Sequence, residues 1–189
     1  MSTFMLVSGI CMLGMMASVL QFAAKEAAEQ AQETTIDPEK RLKELGITLP
    51  TPPAPTANFV RAVRSGNLVF LSGHGPRKAD GSYLTGKVDR EVSIEQGREA
   101  ARLTGINLLA SLKAEIGDLN KVNRIVKVLG MVNAGESFTQ HPQVMNGFSD
   151  FIVSVFGERG KHARSAVGMA SLPNDMAVEI EMIVEVRAP

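Results

Sequence analysis

Hydrophobic and polar positions divide the chain into an apolar start, a proline-rich segment and a longer part with strand-like and helix-like periods. Alternation and short apolar runs predict strands over residues 59–64, 68–73, 122–132, 165–170 and 177–186. Helical spacing predicts helices over 93–117 and 142–156, and Ser93 with Gln96 three residues later is a capping box. The order of two strands, helix, strand, helix and two strands predicts an α+β fold, with one mixed sheet and both helices packed on one face.

The start of the chain differs from the rest. Residues 1–24 carry no charged side chain and meet the length of about 20 residues needed to cross a bilayer. This pattern predicts a membrane anchor or an uncleaved signal sequence, although no Lys or Arg precedes the apolar run. An apolar helix packed on the protein or on a neighbouring subunit, or a mis-assigned start codon, explains it equally well. A cytoplasmic protein is expected, with a membrane-anchored or exported one as the alternative.

Helix signals and prolines predict the domain boundaries. Asp37 as N-cap, Pro38 at the first helical position and Gly46 as a stop predict a short helix. The proline-rich run that follows, residues 50–55, fits neither a helix nor an inner strand. The predicted segments are a helical extension, a short helix with a linker, and the main domain: 1–33, 34–55 and 56–189. Removal of the residues before about Pro50 is expected to leave the main domain folded.

Composition limits the possible partners. Twenty basic and twenty acidic residues balance, so no overall charge attracts the chain to nucleic acid, and an RNA-binding role is disfavoured. Cys11 is the single cysteine, which excludes an internal disulfide and a cysteine-built zinc site. His74, His141 and His162 lack metal-ligand spacing. The sequence therefore predicts no metal, and membrane contact only through residues 1–24.

Two charged residues are candidates for chemistry. Arg164 stands at the start of an apolar strand, where its planar guanidinium could bind a carboxylate; a surface arginine at a loop–strand junction is the alternative. Glu179 shares one strand face with Glu181 and Glu185. That face is either solvated or lines a cleft. In a cleft, a partly buried glutamate could act as a general base on water.

Three stretches together resemble the YjgF/Rid family of reactive intermediate deaminases, also called endoribonuclease L-PSP or translation initiation inhibitor-like proteins. The resemblance covers about residues 57–186. It rests on Arg-Ser followed by Leu-Pro in 164–173, on the alternating acidic strand 178–181, and on the hairpin 66–73 that ends in Ser-Gly. The combination is more specific than any one of these pieces.

The resemblance implies a chorismate-mutase-like fold of the bacillus type, assembled as a homotrimer with active sites in clefts between subunits. It implies that reactive enamine or imine intermediates are hydrolysed to 2-oxo acids and ammonia, without a metal or cofactor. By the same resemblance, Arg164 binds the substrate carboxylate and Glu179 activates the attacking water. Ser72 and Gly73 would line the pocket, and Asn146 would join them from the second helix.

Two positions depart from the family pattern and indicate a divergent branch. Phe59 stands where the family usually has a tyrosine, and Ala166 stands where a small thiol-bearing residue is common. Both are expected in the pocket, so its substrate range would differ. A trimer that binds a small carboxylate without turnover is the alternative function, and an endoribonuclease or translation inhibitor is the less favoured one.

Overall fold

The computed structural model describes residue 21, residues 36–55 and residues 57–188. The expected anchor or signal therefore falls, apart from residue 21, outside the described residues. Within the described ranges, no helix is both long and apolar enough to cross a bilayer.

The helices and strands follow the predicted order. The helices are α1 Pro38–Glu44, α2 Ile94–Ile116 and α3 His141–Phe156. The strands are β1 Ala62–Ser65, β2 Leu68–His74, β3 Val122–Asn133, β4 Ala163–Met169 and β5 Val178–Val186. These bounds lie within about three residues of those that alternation and helical spacing predict.

Helix α2 shows how local sequence sets these bounds. The Ser93 hydroxyl accepts a hydrogen bond from the Gln96 backbone N–H at 3.2 Å, and the Gln96 side chain accepts one from the Ser93 N–H at 2.8 Å. These bonds satisfy two N–H groups that a helix start leaves without partners. Gly117 ends the helix with φ of 82°, a conformation that favours glycine.

The five strands form one sheet in the order β1-β2-β5-β3-β4. Strands β3 and β4 are parallel and α3 connects them, whereas the other neighbouring pairs are antiparallel. The predicted mixed sheet of an α+β fold is thus confirmed.

The two faces of the sheet have different surroundings. Val178, Ile180, Met182 and Val184 of β5 are almost fully buried in the core that the sheet shares with α2 and α3. The opposite side, called the open face below, presents large apolar side chains to solvent: Val63, Phe70, Val167 and Met169. Side chains alternate along a strand, so alternate residues belong to this open face, except where the register shifts in β2 and β3.

Helix α1 packs onto the main domain. Leu42 is only 3% exposed and belongs to the same core cluster. The Arg41 Nε donates to the Ser154 carbonyl at 3.0 Å, and Lys113 of α2 pairs with Glu39 at 2.5 Å. Residues from Asp37 onward form one compact unit. The packing of Leu42 moves the most suitable truncation point from about residue 50 to residue 37.

A protein lacking residues 1–36 is therefore expected to unfold like the full chain, whereas removal of residues 1–49 should lower the free energy of unfolding. Leu42→Ala should lower it by about 2–5 kcal/mol, because it leaves a cavity in the core. Leu45→Ala is the matched control, since Leu45 is 38% exposed. Urea unfolding of the two truncated proteins, the two point variants and the full chain measures the differences. Equal stability after either truncation would show that α1 adds nothing to the core.

Candidate active site

Arg164 lies on the helix-covered side of edge strand β4. Its Nη1 donates to the Asn146 Oδ1 at 3.1 Å and to the Ser149 Oγ at 2.9 Å, both on α3. The edge of the guanidinium formed by Nε and Nη2 carries, among the described residues, one long contact of 3.4 Å from Nη2 to the Pro142 carbonyl. Nη1 is thus anchored twice and Nη2 once, by the long bond, while Nε has no hydrogen bond among the described residues. The Nε–Nη2 edge can therefore still bind a ligand.

The surroundings of Arg164 are partly apolar. Burial lowers the pKa of its guanidinium, and Asp150 acts in the opposite direction. An arginine remains protonated across the physiological range, so this site carries a permanent positive charge. Ala166, two residues further along β4, is half-buried against the core on the same side.

Glu179 lies on the open face, near the start of β5. Its carboxyl group is half-buried, and burial, followed by repulsion from Glu181, raises its pKa above the usual 4.5. Gly73 of β2 lies directly against it, because a Cβ added to Gly73 would overlap the Glu179 Oε1. The structure thus places Gly73 beside Glu179, and only a residue without a side chain fits there.

The remaining predicted residues near Glu179 occupy two places. Phe59, 46% exposed, lines a cavity of about 310 Å³ together with Gly73 and His74. Ser72 lies on a shallow groove of the open face that Glu181 also lines. The four residues Phe59, Ser72, Gly73 and Glu179 therefore gather around the end of β2.

His74, at the floor of this cavity, has a polar environment that sequence reasoning did not find. It is 5% exposed, with Nδ1 at 2.7 Å from the Ser72 carbonyl and Nε2 at 2.8 Å from the Ser111 hydroxyl. Because the carbonyl can only accept, Nδ1 is assigned the proton and Nε2 accepts from Ser111. Burial lowers the pKa of this imidazole. Strict alternation from the buried Leu71 would place His74 on the open face, but an irregularity in the register of β2 between these two residues turns it inward.

The side chains of Arg164 and Glu179 do not contact each other within one chain. Arg164 pairs with Val128 and Glu179 with Met131, on β3 between their two strands. Three residues along β3 and two interstrand spacings put their Cα atoms about 14 Å apart. Their side chains also point to opposite faces, because Arg164 reaches α3 and Glu179 lies on the open face.

Two further residues of the Arg164 region were not predicted from the sequence. Ser149 lies one turn after Asn146 on α3, so both face Arg164. His162 lies two residues before Arg164, and its Nε2 is 3.1 Å from the Ser149 Oγ. The spacing of three on a helix and of two along a strand was a signal, but neither position carries a motif. Across the described ranges, no three His, Cys, Asp or Glu side chains are grouped as a metal site.

Comparison with known proteins identifies relatives of this chain. Residues 39–186 match the family described as "YjgF/chorismate mutase-like, putative endoribonuclease". The protein TCP17 of Trypanosoma cruzi is 42% identical over 147 residues, which cover 77% of this chain and 92% of that protein. A 2-iminobutanoate/2-iminopropanoate deaminase of Dermatophagoides farinae is 30% identical over 145 residues, covering 75% and 95%.

A solved structure shows the same fold. The crystal structure of Atu1372 from Agrobacterium tumefaciens, described as a protein of unknown function, is similar with a TM-score of 0.75 and 44% identity. The match covers 82% of this chain and 97% of that one. The family match spans the sheet and all three described helices, except the first residue of α1. This chain therefore belongs to the YjgF/chorismate mutase-like family.

Proposed function

We propose that this protein hydrolyses 2-imino acids to 2-oxo acids and ammonia, in clefts where Arg164 of one copy faces Glu179 of another. The available Nε–Nη2 edge of Arg164 is the observation that carries the proposal. A 2-imino acid and its enamine tautomer both bring a carboxylate next to the reacting carbon. The deaminase from Dermatophagoides farinae, 30% identical, supports this choice of substrate.

Arg164 supplies the binding step. The carboxylate of the substrate accepts two parallel hydrogen bonds from Nε and Nη2, which fixes its plane as well as its position. Asn146 and Ser149 hold Nη1, so little side-chain freedom is lost when the ligand binds. The anchored guanidinium thus places the imine carbon at a defined distance from the protein.

Glu179 supplies the proton transfer. Its pKa, raised by burial and by Glu181, is closer to neutral than that of an exposed glutamate, which suits a general base. Because Gly73 has no side chain, the Glu179 carboxylate can lie directly against the β2 backbone.

The proposed reaction balances in two steps. In the first, the oxygen of a water bonds to the imine carbon, Glu179 accepts a proton from that water and passes it to the nitrogen, and the C=N bond becomes a single bond in a carbinolamine. In the second, Glu179 moves the hydroxyl proton of the carbinolamine to the nitrogen as the C–N bond breaks, so ammonia leaves and the carbonyl of the 2-oxo acid forms.

The separation of Arg164 from Glu179 motivates assembly. A substrate of a few atoms cannot bridge about 14 Å between opposite sheet faces, whereas a cleft between two copies can join the two groups. The open face offers a surface for this contact, because its exposed Val63, Phe70, Val167 and Met169 are apolar. A closed ring of three copies would give three equivalent clefts.

The purified protein is expected to be a homotrimer by light scattering at micromolar concentration. Phe70→Glu should dissociate it, because a charge would be buried in the apolar contact. Leu45→Glu is the matched control: Leu45 is exposed to a similar extent, 38% against 41% for Phe70, but lies beside α1, away from the open face. A monomeric wild type would contradict the assembly.

Release of 2-oxo acid tests the proposed reaction. A 2-imino acid can be generated in place from an amino acid by an amino-acid oxidase, and the protein should raise the rate of 2-oxo acid formation above the spontaneous rate. Calorimetry with pyruvate tests carboxylate binding without turnover. If pyruvate binds through Arg164 but the protein does not accelerate the formation of 2-oxo acid, the protein is a ligand-binding trimer and not an enzyme.

A further inference from the structure

A chain of hydrogen bonds connects Arg164 to a half-buried histidine, His162. The Arg164 Nη1 donates to the Ser149 Oγ at 2.9 Å, and the His162 Nε2 lies 3.1 Å from the same oxygen. The other ring nitrogen, Nδ1, is 2.7 Å from the Gly160 carbonyl. The ring also contacts Phe148 edge-on, with centroids 5.7 Å apart. His162 is thus held on three sides.

Donor and acceptor chemistry fixes where the protons lie. The Gly160 carbonyl can only accept, so Nδ1 is assigned the proton of the neutral imidazole, and Nε2 is an acceptor. The Ser149 hydroxyl therefore donates to Nε2, and its oxygen accepts from Arg164. The hydrogen bonds are therefore donated in one direction, from Arg164 to Ser149 and from Ser149 to His162.

We infer that His162 is a positioning residue that orients Arg164 through Ser149 and makes carboxylate binding at Arg164 sensitive to pH. This inference rests on the proposed role of Arg164 and adds a means of regulating that site. With His162 neutral, the Ser149 oxygen faces Arg164 and fixes Nη1. With His162 charged, Nε2–H also points at that oxygen, which must then accept from two cations and turn its own proton away.

The surroundings of His162 favour its neutral form. Burial is the main cause that lowers the pKa of its imidazole, the bond to the Gly160 carbonyl acts in the opposite direction, and the charge of Arg164 on β4 lowers the pKa further. On α3, Asp150 is paired with Arg98 at 3.2 Å.

The neighbouring charged groups have partners of their own. On the turn before β4, Lys161 pairs with Glu158, and Arg159 donates to the Val122 carbonyl at 2.9 Å. Lys127 of β3 donates to the Ser165 hydroxyl at 2.9 Å.

The sign of the pH effect follows. Above the lowered pKa of His162, the imidazole is neutral and Arg164 is held. As the pH falls through that pKa, the imidazolium disturbs the Ser149 contact. The positive charge gained by His162 attracts the carboxylate of the ligand only weakly, because water screens the interaction. Bidentate binding, in contrast, needs the fixed orientation of the Arg164 guanidinium, which is lost when the Ser149 contact is disturbed. Binding should therefore weaken only as the pH falls through this lowered pKa, on the acid side of the ordinary histidine value of 6.5.

Three variants separate positioning from charge. His162→Gln keeps an acceptor for Ser149 but cannot titrate, so pyruvate affinity at pH 8 should match wild type and should no longer fall at acid pH. His162→Phe and Ser149→Ala should weaken pyruvate binding about tenfold at every pH, because the hydrogen bond to Nη1 is lost or unsupported. In turnover, KM should rise while kcat changes little.

Ser154→Ala is the matched control for Ser149→Ala. Ser154 is a hydroxyl on the same helix, bonded at 2.7 Å to the Phe151 carbonyl, and it should leave pyruvate affinity unchanged. The inference is overturned if His162→Phe and Ser149→Ala bind pyruvate like wild type. An acid-side loss of affinity that persists in His162→Gln would also overturn it.

A second readout is independent of the proposed reaction. In wild type, NMR should show the Arg164 Nη1 protons protected from exchange at pH 8, with the protection lost in Ser149→Ala and at acid pH. If wild type binds no pyruvate, the proposed function fails, and this protection alone decides the inference. Unprotected Nη1 protons in wild type would then reject it.

Discussion

Arg164→Lys is expected to lower kcat/KM for a 2-imino acid by about ten- to a hundredfold while the fold is kept. Lysine retains the charge but cannot offer two parallel N–H groups to a carboxylate. The loss of one charge-assisted hydrogen bond costs about 1.5–3 kcal/mol. At about 1.4 kcal/mol per factor of ten, this gives the stated range. Steady-state release of 2-oxo acid measures it.

Arg102→Lys is the matched control. Arg102 donates through Nε and Nη2 to the Glu99 carboxylate, each at 2.8 Å, on the exposed surface of α2. It is an arginine with the same fork but no link to the proposed site, so activity should be unchanged. Equal activity of both variants and wild type would remove Arg164 from the reaction.

Mixing of two inactive variants tests where the two groups come from. Chains with Arg164→Ala and chains with Glu179→Gln, refolded together in equal amounts, should regain about a quarter of wild-type activity, since each cleft takes one group from each of two neighbours in a closed ring. Separately, each variant should be nearly inactive. If the mixture is no more active than the separate variants, the proposed cleft does not combine the two residues.

Glu179→Gln should lower kcat by about 10²- to 10⁴-fold, the usual contribution of a general base. The amide keeps the shape of the side chain but cannot accept a proton from water, so pyruvate affinity should change little. A loss of affinity equal to the loss of turnover would assign Glu179 to binding instead.

The pH dependence of kcat/KM tests whether Glu179 is the general base. The raised pKa of Glu179 keeps its carboxyl group protonated to a higher pH, so kcat/KM should fall as the pH falls through that pKa, above the usual 4.5. Glu181→Gln removes one cause of the shift and should move this fall to lower pH. An unchanged profile would exclude Glu179 as the titrating base.

Sequence reasoning predicted the elements well where the signal was local. The Ser93 cap and the helical spacing fixed α2, and alternation along β5 separated Val178 from Glu179. The position of β5 between β2 and β3 is a pairing between residues distant in the chain, and no local pattern encodes it. Likewise, the sequence of the short α1 showed its cap and its stop, but not that Leu42 joins the core.

The membership of the candidate site stays a prediction, and its geometry could not be predicted from the sequence. Gly73 and Glu179 came together, as did Arg164 and Asn146, yet the two pairs lie on opposite sheet faces. The face of Arg164 depends on the register of β4 against β3, which a sequence of seven residues does not fix. Ser149 and His162 bear no motif, because their contribution is a geometric contact between a helix and a strand.

The placement of Arg164 and Glu179 on opposite faces also has a consequence for dilution. If each cleft needs two chains, specific activity per chain is not constant: it should fall when the protein is diluted below the concentration at which the copies associate. The amount of protein in a compartment would then set both the number of sites and the fraction that is complete. Near the concentration at which the copies associate, the total activity would rise more steeply than the amount of protein.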